Sequence, residues 1–396
     1  MRFALVALLL AGLGAAAALG IGVATGLVVG SSTTRTVVVN GPARPTSAGA
    51  LAAARTAALP LGGSAFSPAR IFAARSPGVV TVFSYFGDSG AQGSGFVVRS
   101  DGTILTNAHV ITNAGDTAPG AKVKPASRLY VEFSDHDRVA AHIVGWDVFD
   151  DVGVIRVSPS AHRLVPLPLG RSAAVVVGEP VAAIGSPLGN QDSLAVGVVS
   201  AIGRSIAALT AANFQLVDAI QTDAPIAHGS SGGPLLDAAG HVIGITAQIR
   251  SDSGGPAGIG FAVPIDAARR SLHDLLAMGT VAYAYAGVHA EDLTPALGRR
   301  LNLRASHGAL VDSVTAGGPA ARAGLRGGSR TIDFEGESVR LGGDVVLAID
   351  GIPVNSADDL VRIVTNSLRP GRTAVFTVLR AGRRQAILLH LDTRPS

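Results

Sequence analysis

The sequence predicts a mainly β chain that folds into two domains behind an N-terminal apolar segment. Its length of 396 residues exceeds the usual size of one domain, so two domains are expected. From Phe66 onward, short apolar runs such as GVVTVFSYF and GTILTNAHVI end at Gly, Asp, Asn or Ser. This texture is typical of successive antiparallel strands in a barrel or a sandwich. One uncharged run, from Phe3 to Gly30, stands apart from both domains.

The N-terminal run is long enough to span a bilayer. Arg2 precedes it and the next basic residue is Arg35, which predicts a single-pass membrane anchor in residues 1–30 with the rest of the chain outside the cytoplasm. The alternative is a signal peptide cleaved near small residues such as Ala15, which would leave a secreted or periplasmic protein. Residues 31–65 are rich in Ala, Thr, Pro and Gly and are expected to form a flexible linker.

The boundary between the two folded domains is expected after a helix. The stretch DAARRSLHDLLAMG places Ala267, Leu272 and Leu275 near one helical face and ends at Gly279, a typical stop signal. The first domain is therefore expected in residues 66–279. The second, in residues 283–396, combines short strands with helical patterns at TPALGRRL and SADDLVRIVTN.

Composition excludes several classes of function. The chain has no Cys, so thiol catalysis, disulfides and cysteine-ligated metal sites are excluded. The net charge is +4, but the basic residues are spread along the chain, so no nucleic-acid partner is expected. The His residues are scattered and no phosphate-binding loop is apparent, so neither a metal nor an organic cofactor is expected.

Three residues of the first domain suggest nucleophilic catalysis: His109 in TNAHV, Asp151 in DDVGVIRV and Ser231 in GSSGGP. Each alone is more often an ordinary polar residue. Together they are stronger, because a serine hydroxyl needs an imidazole to remove its proton, and the imidazole needs a carboxylate to fix its tautomer. The glycines around Ser231 leave the backbone unhindered, so N–H groups of the segment from Gly229 through Ser230 to Ser231 are expected to form an oxyanion hole.

These motifs, together with AIGSPLG, QTDAPIAHGSSGGPLLDAAGHVIGI and GIGFAVPI, resemble the HtrA/Deg family of trypsin-fold serine proteases. The resemblance runs from about Ser67 to the C-terminus, because the tail is similar to the PDZ domain of that family. It implies a chymotrypsin-like double β-barrel followed by an α/β PDZ domain. It also implies a serine endopeptidase that cleaves unfolded or damaged exported proteins. A noncatalytic PDZ adaptor with a dormant protease-fold domain is the alternative.

Carried over to this chain, the resemblance makes Ser231 the nucleophile, His109 the general base and Asp151 the orienting carboxylate. Asp150 is the competing acid. Asp151 is preferred because the family pattern places the acid directly before the apolar strand residues, and Asp147 and Asp150 are then expected to be solvent-facing turn residues. Family members are often trimers, so a homotrimer is a further expectation. Two residues before the first strand would suit a subunit contact or the core equally well: Phe66 and Phe72.

The resemblance also predicts a substrate pocket lined by Ile226 and Ile249. Pro225 stands where a trypsin-like pocket would need an acidic residue, which favours a small or medium aliphatic side chain before the scissile bond. The chain departs from the family pattern before the nucleophile, where it has Ala227, His228 and Ser230 in place of the usual Asn-Pro and Asn or Asp. His228 is either a surface substitution or a source of pH dependence near neutrality.

In the second domain, the segment YAGV is expected to bind peptide C-termini. By similarity to PDZ domains, the backbone N–H groups after Tyr285, in Ala286, Gly287 and Val288, would receive a terminal carboxylate while the peptide adds to a sheet edge. The stretch GGSRTIDFEGESVRLGG exceeds a minimal PDZ domain. It is expected to be either an extra hairpin over the binding edge or a spacer before the next strand.

Overall fold

A computed structural model describes residues 66–114, 122–186, 193–207, 215–226, 229–247 and 259–395. The expected anchor or signal segment and the linker, residues 1–65, lie outside the described residues. None of the helices within the described ranges is long and apolar enough to cross a membrane.

The first barrel is closed and contains six antiparallel strands in the order β1-β2-β3-β6-β5-β4. Their bounds are β1 Val79–Phe86, β2 Ser89–Val97, β3 Thr103–Thr106, β4 Arg128–Glu132, β5 Arg138–Asp147 and β6 Val152–Val157. The short helix α2, Ala108–Ile111, follows β3 directly. It carries His109 at the end of the barrel.

The second barrel is also closed, with strand order β10-β11-β12-β9-β8-β7. Its strands are β7 Pro180–Gly185, β8 Ser193–Ala207, β9 Gln215–Thr222, β10 Pro234–Leu236, β11 Val242–Ala247 and β12 Gly260–Pro264. Ser231 lies just before β10, in the turn that joins it to the preceding segment. The prediction of a double β-barrel is therefore confirmed.

The first half of β1, the second half of β2 and most of β6 are buried at successive positions, so both faces of these strands are covered. In β2, Val97 points into the first barrel, whereas the neighbouring Phe96 joins a second cluster that continues into the other barrel through Ile184. Side chains alternate across a strand, so one run of apolar residues supplies both cores. Helix α1, Pro68–Arg75, packs against the shared cluster, and Phe66 and Phe72 contact it too.

Helix α3, Ile265–Met278, closes the first domain. It ends at Gly279, which has φ +73° and whose N–H bonds to the carbonyl of Leu275, as expected of a glycine that terminates a helix. The helix packs against strands of both barrels. Its other side faces the C-terminal domain, since Arg369 of that domain lies 3.4 Å from the Asp274 carboxylate.

The C-terminal domain is built on a sheet in the order β14-β15-β18-β20-β21. The strands are β13 Ala284–Tyr285, β14 Val288–Asp292, β15 Ala309–Val314, β16 Arg330–Phe334, β17 Glu337–Leu341, β18 Val345–Ile349, β19 Ile352–Pro353, β20 Thr373–Arg380, β21 Arg383–His390 and β22 Asp392–Thr393. The helices are α4 Pro295–Arg300, α5 Pro319–Arg322 and α6 Ala357–Arg362, and α6 continues into one π-helical turn, Ile363–Ser367.

The extra segment of this domain is the hairpin β16–β17. Its apolar side chains pack in one cluster with Leu297 of α4 and Leu310 of β15. The neighbouring Val311 belongs to the opposite face of the sheet, where α6 packs. The hairpin therefore covers the sheet face remote from α6.

Candidate active site

His109 and Asp151 meet at one end of the first barrel. His109 Nδ1 lies 2.8 Å from Asp151 Oδ2, and the backbone N–H of His109 donates to Asp151 Oδ1 at 3.1 Å. Asp151 has φ +51°, a left-handed conformation that turns the chain between β5 and β6. The buried side chain of Asn107 donates to the Asp151 carbonyl at 2.8 Å and so holds this turn against α2. The carboxylate that reaches the imidazole belongs to Asp151.

The contact defines the tautomer of His109. An ionised carboxylate only accepts, so the proton of the shared bond lies on Nδ1 and Nε2 is the acceptor of the neutral ring. Burial acts to lower the pKa of His109, but the charge of Asp151 and its hydrogen bond outweigh it, and the pKa lies above its ordinary value. The ring is thus a base whose protonated form the neighbouring carboxylate stabilises.

Ser231 lies in a loop whose backbone carbonyls accept hydrogen bonds from neighbouring strands. The carbonyl of Gly229 accepts from Ser94 Oγ at 2.6 Å, and that of Ser231 accepts from the Ser94 N–H at 2.7 Å. The carbonyl of Ser230 accepts from Thr246 Oγ1 at 2.5 Å. Because the C=O and N–H of a trans peptide point in opposite directions, the N–H of Ser231 points away from Thr246. The loop is thus held by hydrogen bonds from both β2 and β11.

Ser94 of β2 connects the two barrels at this point. Its buried hydroxyl donates to Gly229 and accepts the N–H of Ser186, the residue after β7, at 2.9 Å. A Cβ on the neighbouring Gly93 would lie 2.6 Å from Val110 Cγ2 and 3.1 Å from the Ser231 carbonyl oxygen. The residue after His109 and the loop of Ser231 therefore flank the same stretch of β2.

Gly232 shows why the segment after Ser231 is rich in glycine. It has φ +90°, and a Cβ there would lie 2.1 Å from the Ser94 carbonyl oxygen and 2.4 Å from Thr106 Oγ1. Its N–H donates to the Thr246 carbonyl at 2.8 Å. A side chain would collide with backbone in a conformation that L residues rarely adopt, so only glycine fits.

Motif reasoning did not identify Ser94, Asn107 or Thr246 as parts of the site. Asn107 directly precedes the AHV segment, and this proximity was the only local signal for any of the three. Ser94 and Thr246 lie in ordinary strand patterns, and their partners are 135 and 16 positions away, respectively. Their role is visible only once the barrels are closed.

The predicted substrate pocket is described in part. Ile226 is half-buried and packs against the core of the second barrel. It lies so close to Gly260 that a Cβ added to this glycine would be 2.4 Å from Ile226 Cγ1. Ile249, Ala227 and His228 lie outside the described residues.

The expectation that Asp147 and Asp150 face solvent is wrong. Both are 3% exposed, because α3 and the C-terminal domain cover the turn that carries them. Asp147 accepts from Ser271 Oγ at 2.7 Å and from the Tyr283 hydroxyl, and Asp150 accepts from Arg270 at 2.5 Å. The partners are 120 to 136 positions away, which explains why a short polar turn resembled a solvated one.

The YAGV segment lies at the free edge of the C-terminal sheet. The carbonyls of Ala286 and Gly287 accept from the N–H groups of Ala320 and Thr315, both at 2.9 Å. The N–H groups of Gly287 and Val288 therefore point to the opposite side. Tyr285 is held by its hydroxyl, 3.0 Å from Thr315 Oγ1. Strand β14, which begins at Val288, pairs on one side with β15 and is the last strand of its sheet.

The fold and the site together define a trypsin-like peptidase joined to a PDZ domain. The first part has two closed barrels, a His–Asp pair and a serine in a glycine-rich turn, and the second part is a sheet like that of PDZ domains. Comparisons with known families agree: the model of the trypsin-like peptidase domain matches residues 93–245, and that of the PDZ domain matches residues 287–391. The chain belongs to the HtrA-type serine protease family, because it is 32% identical to a solved HtrA-type protease over 98% of that protein's chain.

Relatives of the chain include the putative serine protease HhoA of Synechocystis, 36% identical over 304 residues that cover 75% of this chain and 69% of the relative. The probable periplasmic serine endoprotease DegP-like of Pseudomonas fulva is also 36% identical, over 77% of this chain and 56% of its own length. The chain thus spans about half the length of several curated relatives.

Among solved structures, an HtrA-type protease AlgW with a tripeptide is 32% identical, with a TM-score of 0.67 over 83% of this chain and 98% of that one. The serine endoprotease from Yersinia pestis matches with a TM-score of 0.59 at 27% identity, over 84% of this chain and 100% of that one. Both the barrels and the C-terminal domain fall within such coverage.

Proposed function

We propose that this protein is a serine endopeptidase in which Ser231 is the nucleophile, His109 the general base and Asp151 the residue that orients the imidazole. The main support for this proposal is the 2.8 Å contact between His109 Nδ1 and Asp151 Oδ2. The loop that contains Ser231 is held by hydrogen bonds to neighbouring strands. Nε2 of His109 takes the proton from the Ser231 hydroxyl while Ser231 Oγ attacks the substrate carbonyl. The imidazolium then gives that proton to the leaving amine, and water hydrolyses the acyl-enzyme by the same route.

The developing oxyanion would be bound by the backbone N–H groups of Gly229 and Ser231, with Ser230 between them. The bond from Thr246 to the Ser230 carbonyl supports this assignment, because it directs the following N–H away from the barrel. The hydrogen bond from Ser94 Oγ to the Gly229 carbonyl restrains the start of the same loop. Such donors act without reorganisation only if the loop is held in place before substrate arrives.

The substrates would be unfolded or damaged polypeptides of an exported compartment. Relatives described as periplasmic serine endoproteases support the location, and a solved HtrA-type protease carries a tripeptide. The pocket for the side chain before the scissile bond would include Ile226 and Ile249 and would accept small or medium aliphatic groups. The PDZ domain would bind peptide C-termini at Tyr285–Val288, where the N–H groups of Gly287 and Val288 can donate to a terminal carboxylate and the edge of β14 can pair with the peptide as an added strand.

The catalytic assignment is tested with an internally quenched peptide that has an aliphatic residue before the cleavage site. Ser231→Ala and His109→Ala should each lower kcat by about 10⁴-fold or more while the circular dichroism spectrum is retained. Asp151→Asn should cost about 10³- to 10⁴-fold, because the amide favours the wrong tautomer of His109. Asp150→Asn is the matched control and should cost no more than about tenfold. A greater loss in Asp150→Asn than in Asp151→Asn would reassign the acid.

Residues 1–30 would retain the protein at the membrane, and the catalytic and PDZ domains would lie outside the cytoplasm. The uncharged run from Phe3 to Gly30 supports the anchor. Full-length protein should then stay in the membrane fraction after carbonate washing and be released by detergent. A soluble form that begins near Leu19 would instead show signal cleavage. Sedimentation of the soluble domains would test whether they form the homotrimer expected of the family.

A further inference from the structure

Three carboxylates lie within five residues at the turn that carries the proposed triad acid: Asp147, Asp150 and Asp151. They are 3%, 3% and 4% exposed, respectively. Burying one carboxylate is unfavourable unless it is paired or hydrogen-bonded, and burying three together adds mutual repulsion. The turn therefore depends on the groups that surround it.

Asp147 is satisfied largely by neutral donors. Its Oδ1 accepts the N–H of Phe149 at 3.0 Å, and its Oδ2 accepts the hydroxyls of Ser271 and Tyr283. Burial, and then the charge of Asp150, raise the pKa of Asp147 to about 6, although the hydrogen bonds oppose the rise. No cation pairs directly with this carboxylate among the described residues.

Asp150 is satisfied by a cation instead. Arg270 of α3 places Nη2 2.5 Å from Asp150 Oδ2, and the two side chains are 11% and 4% exposed. Arg270 also donates through Nη1 to the Thr365 carbonyl at 3.1 Å and to Asn366 Oδ1 at 2.9 Å. These acceptors belong to the π-helical turn that follows α6 in the C-terminal domain. One guanidinium thus joins the turn of the triad acid to the PDZ domain.

The turn has a second connection to the C-terminal domain. The ring of Phe149, two residues before Asp151, lies 5.1 Å from that of Tyr283 in an edge-on arrangement. The guanidinium of Arg394, near the end of the chain, lies 4.6 Å from the Phe149 ring centre. The C-terminal domain therefore contacts this turn directly, with Tyr283 and Arg394 both against the ring of Phe149.

We propose that Arg270 is a positioning residue for catalysis: it cancels the charge of Asp150 and holds the 147–151 turn, so that Asp151 keeps its bond to His109 only while the PDZ domain is docked on α3. The proposal rests on the proposed peptidase function. Breaking a buried pair on one side leaves an uncompensated charge directly beside Asp151. The carboxylate of Asp150 can regain contact with solvent only if the turn moves. The same turn includes Asp151, which has φ +51° and contacts the imidazole of His109.

The decisive comparison is a double-mutant cycle in the full chain. Arg270→Met should lower kcat for a small fluorogenic peptide at least about tenfold with little change in KM, since the loss lies in orientation and not in substrate binding. Asp150→Asn combined with Arg270→Met removes both charges and should raise kcat at least about threefold above that of Arg270→Met alone. A double variant as impaired as Arg270→Met would overturn the proposal.

The connection to the PDZ domain has its own test and a matched control. Asn366→Ala removes one acceptor of Arg270 and should lower kcat about two- to fivefold, but it should have no further effect in the Arg270→Met background. Arg369→Met removes another ion pair between α3 and the C-terminal domain, the one to Asp274, without touching the turn. It should leave kcat unchanged. An equal loss in Arg369→Met and Arg270→Met would overturn the proposal, because weaker docking alone would then account for the whole effect without a role for the charge of Asp150.

A measurement without turnover separates this idea from the proposed function. In the Ser231→Ala protein, the downfield NMR resonance of the His109 Nδ1 proton reports the bond to Asp151. It should shift or broaden in Arg270→Met, return in the double variant and stay in place in Arg369→Met. An unchanged resonance in Arg270→Met would refute the positioning role. Lack of cleavage by the unmutated protein would refute the function alone and leave this result interpretable.

Discussion

Ser94→Ala would remove a hydroxyl that connects the Ser231 loop to both barrels through hydrogen bonds. The hydroxyl is fully buried, donates to the Gly229 carbonyl at 2.6 Å and accepts the Ser186 N–H at 2.9 Å. An unpaired buried N–H costs about 1–3 kcal/mol, and the half-buried Gly229 carbonyl loses about 1 kcal/mol more. A total of about 3 kcal/mol corresponds to a fall in Tm of roughly 5–10 °C.

The effect of Ser94→Ala on turnover should exceed its effect on folding. Removal of a whole oxyanion donor costs about 10²- to 10³-fold in kcat, and here the donor remains but its loop is no longer held. We therefore expect kcat for a small peptide to fall about 10- to 100-fold at a temperature where the variant is folded, with KM nearly unchanged.

Ser84→Ala is the matched control for this experiment. Ser84 is equally buried in the first barrel, and its hydroxyl has no hydrogen-bond partner within the described ranges. Its removal should change neither Tm nor kcat appreciably. A Ser94→Ala protein with kcat within twofold of the unmutated enzyme would refute the idea that this hydroxyl holds the oxyanion loop.

The fold could be predicted because its signals are local. Side chains alternate between the two faces of a strand, as at Phe96 and Val97, and this requires only neighbouring residues, while turn residues mark the strand ends. The helix stop at Gly279 is equally local. The HtrA resemblance added the closure of the strands into two barrels and the PDZ sheet, and both are confirmed.

The parts of the site that could not be predicted depend on contacts between distant segments. Asp150 and Asp151 are adjacent in the sequence and equally buried, yet only Asp151 turns toward His109, because its φ of +51° reverses the chain there. Asp150 instead meets Arg270, which is 120 positions away. A short polar turn carries no local sign that a helix and a second domain will cover it. For the same reason the extra segment could be predicted only as either a hairpin over the binding edge or a spacer, and the sheet face on which β16–β17 packs could not be predicted.

Two further predictions concern the nucleophile loop and the buried carboxylates. Gly232→Ala should abolish soluble expression or activity, since its Cβ would lie 2.1 Å from the Ser94 carbonyl oxygen. Gly87→Ala is the control, because Gly87 has φ +64° but open space around it. A thermal melt should show that Gly87→Ala lowers the free energy of unfolding by only about 1 kcal/mol. Asp147 bears on stability: its pKa is about 6 in the folded protein and 3.8 as a free group. The raised pKa means that the unfolded chain ionises first as the pH rises, so this residue lowers the free energy of unfolding between about pH 4 and 6, by up to about 3 kcal/mol. Asp147→Asn cannot ionise; its one oxygen can still accept from Tyr283 and Ser271, and the bond from the Phe149 N–H is lost at every pH. Urea titrations of both proteins at pH 4 and pH 7 should therefore show that the unmutated protein loses stability relative to Asp147→Asn as the pH rises, and an equal difference at both pH values would refute a buried, ionising Asp147.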